Sequence, residues 1–454
     1  MFRYITMICA TLLVLSGGYD CRETLAATLP QKATESANET PQGKILLHDS
    51  IELKHYELPF QALQKWYTFR DLRPALLLYS NDPLMQPASA SIQRNLVERL
   101  AKQDREALRY DSPDPAIIPK MALHSALEAG LFSSVYWMMP TQAEKADLSI
   151  DSFRSQMVKF GAMSDEEART LTLRDGVFSG TVRGLPFHAL HPQAELKIAG
   201  PAVLHFDLSY LAPLYQGEIK TGIYSLIYQT LKQLRDQQVE ATFASVSYSQ
   251  VSGEIPLSSR FVGDALAQLF KQPDMLDEKL PQAWQQRANA LYLPEMFISE
   301  QSRNLLLQLA QANPEDPSLH FALYEVSREL KATTGAALDH LAEAVARDPV
   351  YGLEYLTLAS LARDKRLPYQ AQQMLRLAFE ASPNNPFIAL KLAQELIDAR
   401  HGASAKPLLE QLLQLKWSTV FYAGMHENLQ RLLDEARGQE AEGAADGHKA
   451  MGSG

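Results

Sequence analysis

Hydrophobic and polar positions follow two different patterns along the chain, and the change falls near residue 290. Before it, short runs of consecutive apolar or β-prone residues alternate with segments of helical period. Buried parallel strands have this composition and stop, as these runs do, at turn residues. The runs are 75–79, 135–139, 202–208 and 241–247, and the helical segments are 90–102, 119–129, 221–237 and 259–270. The alternation predicts an α/β domain over 46–290, with a mostly parallel sheet and helices on both faces.

After residue 290 the strand pattern stops, and the remaining sequence is helical and repetitive. Ala337, Ala371 and Ala405 follow one another at intervals of 34 residues, and Ala344 and Ala378 share that interval. Small residues at such positions let two antiparallel helices approach closely where they cross, and a proline ends the second helix. The further positions of the same pattern are Pro349, Tyr355, Leu358, Ala359, Pro383 and Ala393.

A period of 34 residues is that of the tetratricopeptide repeat family, which residues 317–418 resemble. Two positions depart from the family pattern: Glu325 replaces a small residue, and Trp417 replaces a terminal proline. We expect all-α repeats over 291–435, with helices at 302–312 and 425–436 as caps. The resemblance implies a concave surface that holds a protein or peptide. The same surface could instead pack against the chain's own first domain, and the sequence leaves both roles open.

The two ends of the chain differ from the folded regions. Residues 1–18 combine an early arginine, an apolar run and small residues, which indicates a signal peptide and an exported protein, periplasmic or secreted. An uncleaved N-terminal anchor is the alternative, and we expect no other membrane-spanning segment. Residues 19–45 and 436–454 have the composition of a disordered linker and a disordered tail. Cys21 alone would remain after cleavage, so no intramolecular disulfide is expected.

The charge balance excludes one class of partner. The formal net charge is −10 at pH 7, and the chain has no block of lysine and arginine. Proteins that bind nucleic acids neutralise phosphates with such blocks. We therefore expect no nucleic-acid partner.

Residues 46–290 resemble the arginase/deacetylase-like α/β superfamily in three stretches, 73–82, 130–140 and 203–210. In that superfamily, carboxylates and imidazoles hold one or two divalent ions that activate water against carbon–nitrogen bonds. Here Leu78 and Ser80 stand where the first motif would have Asp and His, which leaves Asp82. Ser209 likewise replaces the partner of Asp207. The resemblance thus implies the fold without the chemistry, and the leading hypothesis is a non-catalytic binding or scaffold protein with no cofactor.

Two alternatives remain for this domain, and neither assigns a catalytic residue. His205 and Asp207 lie two residues apart on a predicted strand and so share a face. With His188 and His191, in a stretch expected to be a loop, and Asp82, they could hold zinc or manganese in a hydrolase of carbon–nitrogen bonds. His205 could equally be a satisfied core histidine. The second alternative is a small polar ligand at the strand ends, which requires a pocket lined by Asp82, Asp207 and Ser209.

Overall fold

The computed structural model describes residues 44–51, 53–140, 149–192, 194–215, 222–330 and 334–451. The expected signal peptide and the expected linker up to residue 43 lie outside these ranges. The last two linker residues belong to the sheet, because Lys44–Ile45 pair with a strand at 240–241. Within the described residues, no helix is both long and apolar enough to cross a bilayer.

The N-terminal part contains one mixed, mostly parallel sheet. Its nine strands are β1 (Lys44–Ile45), β2 (Leu53–Tyr56), β3 (Ala75–Tyr79), β4 (Ser134–Met138), β5 (Thr172–Arg174), β6 (Val177–Val182), β7 (Leu185–Leu190), β8 (Ala202–Asp207) and β9 (Glu240–Ser247). The order β2-β9-β8-β3-β4-β7 is parallel throughout. β1 pairs with β9 antiparallel, and β6 and β5 extend the other edge antiparallel. The four predicted strands and the predominantly parallel sheet are confirmed.

Helices cover both faces of this sheet, as expected. They are α1 (Leu63–Tyr67), α2 (Ala90–Ala101), α3 (Ala122–Glu128), α4 (Ile150–Lys159), α5 (Asp165–Thr170), α6 (Leu211–Tyr215), α7 (Ile223–Asp236) and α8 (Arg260–Lys271). Successive side chains of a strand point to opposite faces. Leu76 and Leu78 of β3 accordingly pack in the core with α2, α3 and α4. Leu77 and Tyr79 pack in the second core with α7 and α8.

The antiparallel edge was not predicted, and it corrects the loop expected around His188 and His191. His188 lies in β7, which pairs with β6 and β4. Two tight turns shape this edge, because Asp175–Gly176 and Arg183–Gly184 all have positive φ. Turns of that kind match the twist of two antiparallel strands. The Asp-Gly and Arg-Gly pairs were the local indication of these turns, and an analysis based on strand periodicity alone did not consider them.

The C-terminal part is a run of packed helices consistent with a helical repeat. They are α9 (Gln282–Tyr292), α10 (Ser299–Ala312), α11 (Pro317–Glu329), α12 (Thr334–Arg347), α13 (Leu353–Asp364), α14 (Pro368–Ala381), α15 (Pro386–Asp398), α16 (Gly402–Leu413) and α17 (Met425–Met451). The pairs α11/α12, α13/α14 and α15/α16 follow the 34-residue period. Ala337, Ala344, Ala371, Ala378 and Ala405 are all buried, as their predicted role at helix crossings requires.

The helix α17 continues to Met451 and so enters the stretch 436–454 that we expect to be a disordered tail. Its Ala- and Glu-rich sequence has high helix propensity, and its first half packs on α16. A Cβ on Gly402 would come within 2.4 Å of the Ala436 carbonyl oxygen, so the two helix backbones lie very close. The Gln439 side-chain amide donates to the Ile397 carbonyl at 3.0 Å. Tertiary contacts thus extend beyond the expected boundary.

Candidate functional site

The candidate site lies at the carboxyl ends of β3 and β8, where the strand order reverses. From β3 the chain continues to β4 on one side, and from β8 it continues to β9 on the other. Connections that leave in opposite directions open a crevice between the two strand ends, which is where α/β sheets bind ligands. Asp82 follows β3 and Asp207 ends β8, so the fold brings these two predicted residues together.

A small depression occupies this crevice. Its free volume is about 10 Å³, roughly the space that one water molecule needs. Asp82, Asp207 and Ser209 all line it, as the small-ligand hypothesis required, but a space of this size has no room for an organic ligand, so that hypothesis stays a prediction. The other lining residues are Leu58, Pro59, Ser80, Leu84, Pro119, Lys120, Ser249, Ser252 and Glu254.

Asp207 forms the floor of the pocket, and protein donors occupy both of its carboxylate oxygens. Its Oδ1 accepts the backbone N–H of Ser209 at 2.8 Å. Its Oδ2 accepts the hydroxyls of Ser247 and Ser249. Burial raises the pKa of Asp207, and these hydrogen bonds act in the opposite direction. The side chain is therefore fixed in orientation, with little freedom to reach a ligand.

His205 lies behind Asp207, fully buried, and does not line the pocket. Its Nε2 lies 3.0 Å from Ser247 Oγ, and its Nδ1 lies 2.8 Å from Ser245 Oγ. Because Ser247 gives its single proton to Asp207, it must accept from His205 Nε2–H, and Nδ1 then accepts from Ser245. Burial lowers the pKa of His205 to about 3. This is the satisfied core histidine that the sequence left open.

The remaining metal candidates lie elsewhere in the sheet. His188 and His191 belong to β7 and its end, and β3 and β4 separate them from β8. The His188 ring stacks on Tyr136, and its Nδ1 lies 2.9 Å from Ser179 Oγ. His188 shares a row with Leu204, so it faces the side of the sheet opposite to His205. Among the described residues, no three His, Cys, Asp or Glu side chains are grouped closely enough to hold a metal ion.

In the described part of the chain, no ion pair joins the charged residues on the rim of the pocket. Partial burial and the nearby carboxylates of Asp207 and Asp82 raise the pKa of Glu254, while Lys120 acts to lower it. Two lining residues, Leu84 and Ser249, have left-handed backbone with φ of 57° and 53°. Such conformations are costly for residues with a side chain, and they concentrate at functional sites. Left-handed residues also occur elsewhere around the sheet, at Arg73 and Gln238 among others, so this feature alone does not identify the depression as a site.

The repeats are joined to the α/β domain next to this pocket through Arg260, the first residue of α8. Its guanidinium binds both carboxylate oxygens of Glu57 at 2.7 and 3.0 Å, and the Gln250 side chain at 3.2 Å. Its Nε donates to Asp348, between α12 and α13, at 2.6 Å. The guanidinium also stacks on Tyr248 at 4.1 Å. A second contact joins Lys416 to Asp114 at 2.7 Å.

On the repeats themselves, α13 and α15 present matching exposed positions. We call this surface the repeat ridge, and it consists of Thr357, Ser360, Asp364, Lys391, Gln394 and Asp398. All are exposed except Gln394, which is half-buried. Each residue of α13 has its equivalent 34 residues later in α15, and within each helix the spacings of three and four place them on one face. Ion pairs hold the first helices of the repeats side by side: Arg328–Glu354 at 2.9 Å and Arg363–Glu395 at 2.5 Å.

Sequence reasoning missed the three serines of the buried network and the contacts of Arg260. Ser245 and Ser247 alternate along β9 as His205 and Asp207 do along β8, and this shared period of two was a usable signal. Ser249 lies two residues beyond the end of β9. The pairing of Arg260 with Glu57 and Asp348 spans too much sequence for any local pattern to reveal it. No family model matches the chain, and no curated protein matches its sequence.

Proposed function

We propose that this chain is an exported, non-catalytic binding protein whose tetratricopeptide-type repeats hold a segment of another protein. The repeat ridge is the observation that carries the proposal. It offers the same polar positions on two successive first helices, as a surface for an extended segment would. Its two aspartates and Lys391 form no hydrogen bond or ion pair within the described residues, so their charges are available to a partner. Paired side chains such as Arg363 would instead have to give up Glu395.

The buried network of the α/β domain supports the non-catalytic assignment. The hydrogen bonds of Asp207 and His205 leave neither group free to transfer a proton or bind an ion without breaking that network. Leu78 stands directly opposite His205 in the sheet, where a metal-binding relative would place a ligand. The adjacent positions of Asp82 and Asp207 at the sheet edge agree with descent from an arginase/deacetylase-like domain that has lost its metal chemistry.

Site-specific cross-linking in the cell that makes the protein tests the ridge. A photo-reactive amino acid would replace Ser360 or Lys391, and the control would carry it at Gln373, exposed on α14. We expect one and the same partner cross-linked at both ridge positions and not at Gln373. Equal labelling at all three positions, or none at the ridge, would reject the ridge as the binding surface.

Elemental analysis tests the hydrolase alternative directly. The protein would be purified without chelators, and zinc and manganese would be measured per chain in the wild type and in Asp207→Ala. We expect substoichiometric metal in both. About one ion per chain in the wild type, lost in the variant, would contradict the non-catalytic assignment and justify a screen of amide and amidine hydrolysis.

The pocket favours a second candidate function, the binding of a small polar ligand in the α/β domain. Its location at the strand reversal and its mixed lining of carboxylates, hydroxyls and Lys120 support this. Thermal unfolding would be measured with a panel of amino acids, sugars and nucleosides, each of which would have to open the pocket beyond its present volume of about 10 Å³. A ligand that stabilises the wild type and has no effect on Asp82→Asn would support the candidate. A panel without any such ligand would count against these three classes.

A further inference from the structure

Arg260 contacts residues next to both walls of the pocket and a residue of the repeats. Glu57 immediately precedes Leu58 and Pro59, which form one wall. Gln250 immediately follows Ser249, which belongs to the other wall. Asp348, the third partner, caps the short turn that begins the second repeat, because its Oδ1 accepts the Val350 N–H at 3.1 Å.

The two walls are also tied to each other beneath the guanidinium. The Tyr248 N–H donates to the Tyr56 carbonyl at 3.0 Å, and the Ser249 N–H donates to the Glu57 carbonyl at 2.9 Å. Tyr248 lies under Arg260 and against α8, where a Cβ on Gly263 would come within 2.2 Å of its ring. A movement of Arg260 therefore cannot leave Tyr248 and the following loop undisturbed, because the packing leaves no free space between them.

Arg260 is the common ion-pair partner of one carboxylate in each part of the fold, Glu57 and Asp348. Its side chain is only 11% exposed, and Glu57 and Asp348 are 20% and 23% exposed. Glu57, Gln250 and Asp348 therefore all bind one largely buried cation. Hydrogen bonds between a guanidinium and carboxylates are strong. If the contact of Arg260 with Asp348 weakens, the guanidinium can shift relative to Glu57, and the reverse is also true.

We infer that Arg260 couples the pocket to the repeats, so that a partner held by the repeats changes the closure of the pocket and a ligand in the pocket changes the first turn of the second repeat. The inference rests on the proposed function for its two ligands. The coupling itself belongs to the chain alone. Thermodynamic linkage requires the coupling to act equally in both directions.

Hydrogen–deuterium exchange on the full chain tests this coupling without any ligand. In Asp348→Asn, the amide side chain keeps the capping oxygen for Val350 but loses the charge that Arg260 binds. We expect exchange at Tyr248, Ser249, Gly253 and Ile255, whose N–H groups are hydrogen-bonded in the pocket walls, to rise about tenfold or more. The matched control is Asp339→Asn, an exposed aspartate of α12 outside the repeat ridge that has no ion pair within the described residues, and it should leave these amides unchanged.

The reverse variant completes the test. Glu57→Gln weakens the pocket side and should raise exchange at Val350 and Tyr351, whose N–H groups bond to Asp348. The amides of β8 serve as an internal reference and should stay protected, which separates local coupling from global loosening. If Asp348→Asn raises exchange only around 348–352, the coupling is refuted. Because no partner or ligand takes part, that failure leaves the cross-linking and thermal-shift tests of function unaffected.

Discussion

The buried histidine of β8 gives the sharpest prediction about stability. In the unfolded chain His205 has its ordinary pKa of 6.5, and in the fold its pKa is about 3. The native state therefore binds fewer protons than the unfolded state between these two values. Stability from this group is fully present above pH 6.5 and is lost as the pH falls towards 3. Integrated from pH 7 to pH 4, the loss is about 3 kcal/mol, taking ~1.4 kcal/mol per pKa unit.

His205→Gln isolates this contribution. Glutamine does not titrate, and it can still donate a hydrogen bond to Ser247. We expect the free energy of unfolding, measured with urea at pH 7, 5.5 and 4, to fall about 3 kcal/mol less in the variant than in the wild type. The variant's absolute stability at pH 7 does not matter to this comparison. Asp207, whose raised pKa acts in the opposite direction, is present in both proteins and largely cancels.

The control is His426→Gln, which removes an exposed histidine of α17 by the same chemical change. It should show the pH dependence of the wild type. If His205→Gln also loses stability on acidification as steeply as the wild type, His205 is not held neutral by the serine network. The assignment of a satisfied core histidine would then be wrong.

Three further variants test the packing of the repeats and of the interface. Ala344→Leu should lower the free energy of unfolding by about 1–3 kcal/mol because no space exists at the helix crossing. The control Ala342→Leu, at an exposed position of the same helix, should change it little. Equal effects of the two variants in urea unfolding would contradict the repeat packing. Gly402→Ala should push α17 away from α16, and limited proteolysis should then cut α17 faster than in the wild type. Arg260→Met should destabilise by about 3–5 kcal/mol, since it leaves two largely buried carboxylates without their partner; a loss under 1 kcal/mol would show that the interface does not depend on this residue.

Local periodicity was sufficient for elements that carry their own pattern. In the strand at 75–79 and the helix at 223–236, the composition and the spacing of apolar residues favour the same structure as the tertiary contacts do. The antiparallel edge was harder, because β5 and β6 are short and half-exposed and only their turns identify them. The boundary at residue 436 was hard to place for a related reason. A polar, Ala-rich segment is compatible with both disorder and helix, and the packing of Ala436 and Gln439 on Gly402 is a tertiary contact that no local pattern contains.

The site could be predicted only in part, for a physical reason. That His205 and Asp207 share a face follows from the period of a strand. What each side chain touches depends on the neighbouring strand and its register, which is set by contacts some 40 residues away in β9. The same serines that satisfy His205 remove it from any metal site, and no pattern within β8 contains that information.

The packing of α17 has a consequence for assembly. In a helical-repeat protein, each repeat stacks on the next through an apolar surface. If the last repeat leaves this surface uncovered, other copies can stack on it head to tail and form fibres. Here Leu429, Leu432, Leu433 and Ala436 of α17 fill that surface on α16 and are themselves buried. The sheet domain contacts the helical repeats in their middle, through Arg260 and Asp348 between α12 and α13, and leaves this role to α17. A further copy of the chain could stack on α16 only after α17 had been displaced. The helix that completes the fold therefore also blocks head-to-tail polymerisation at this end.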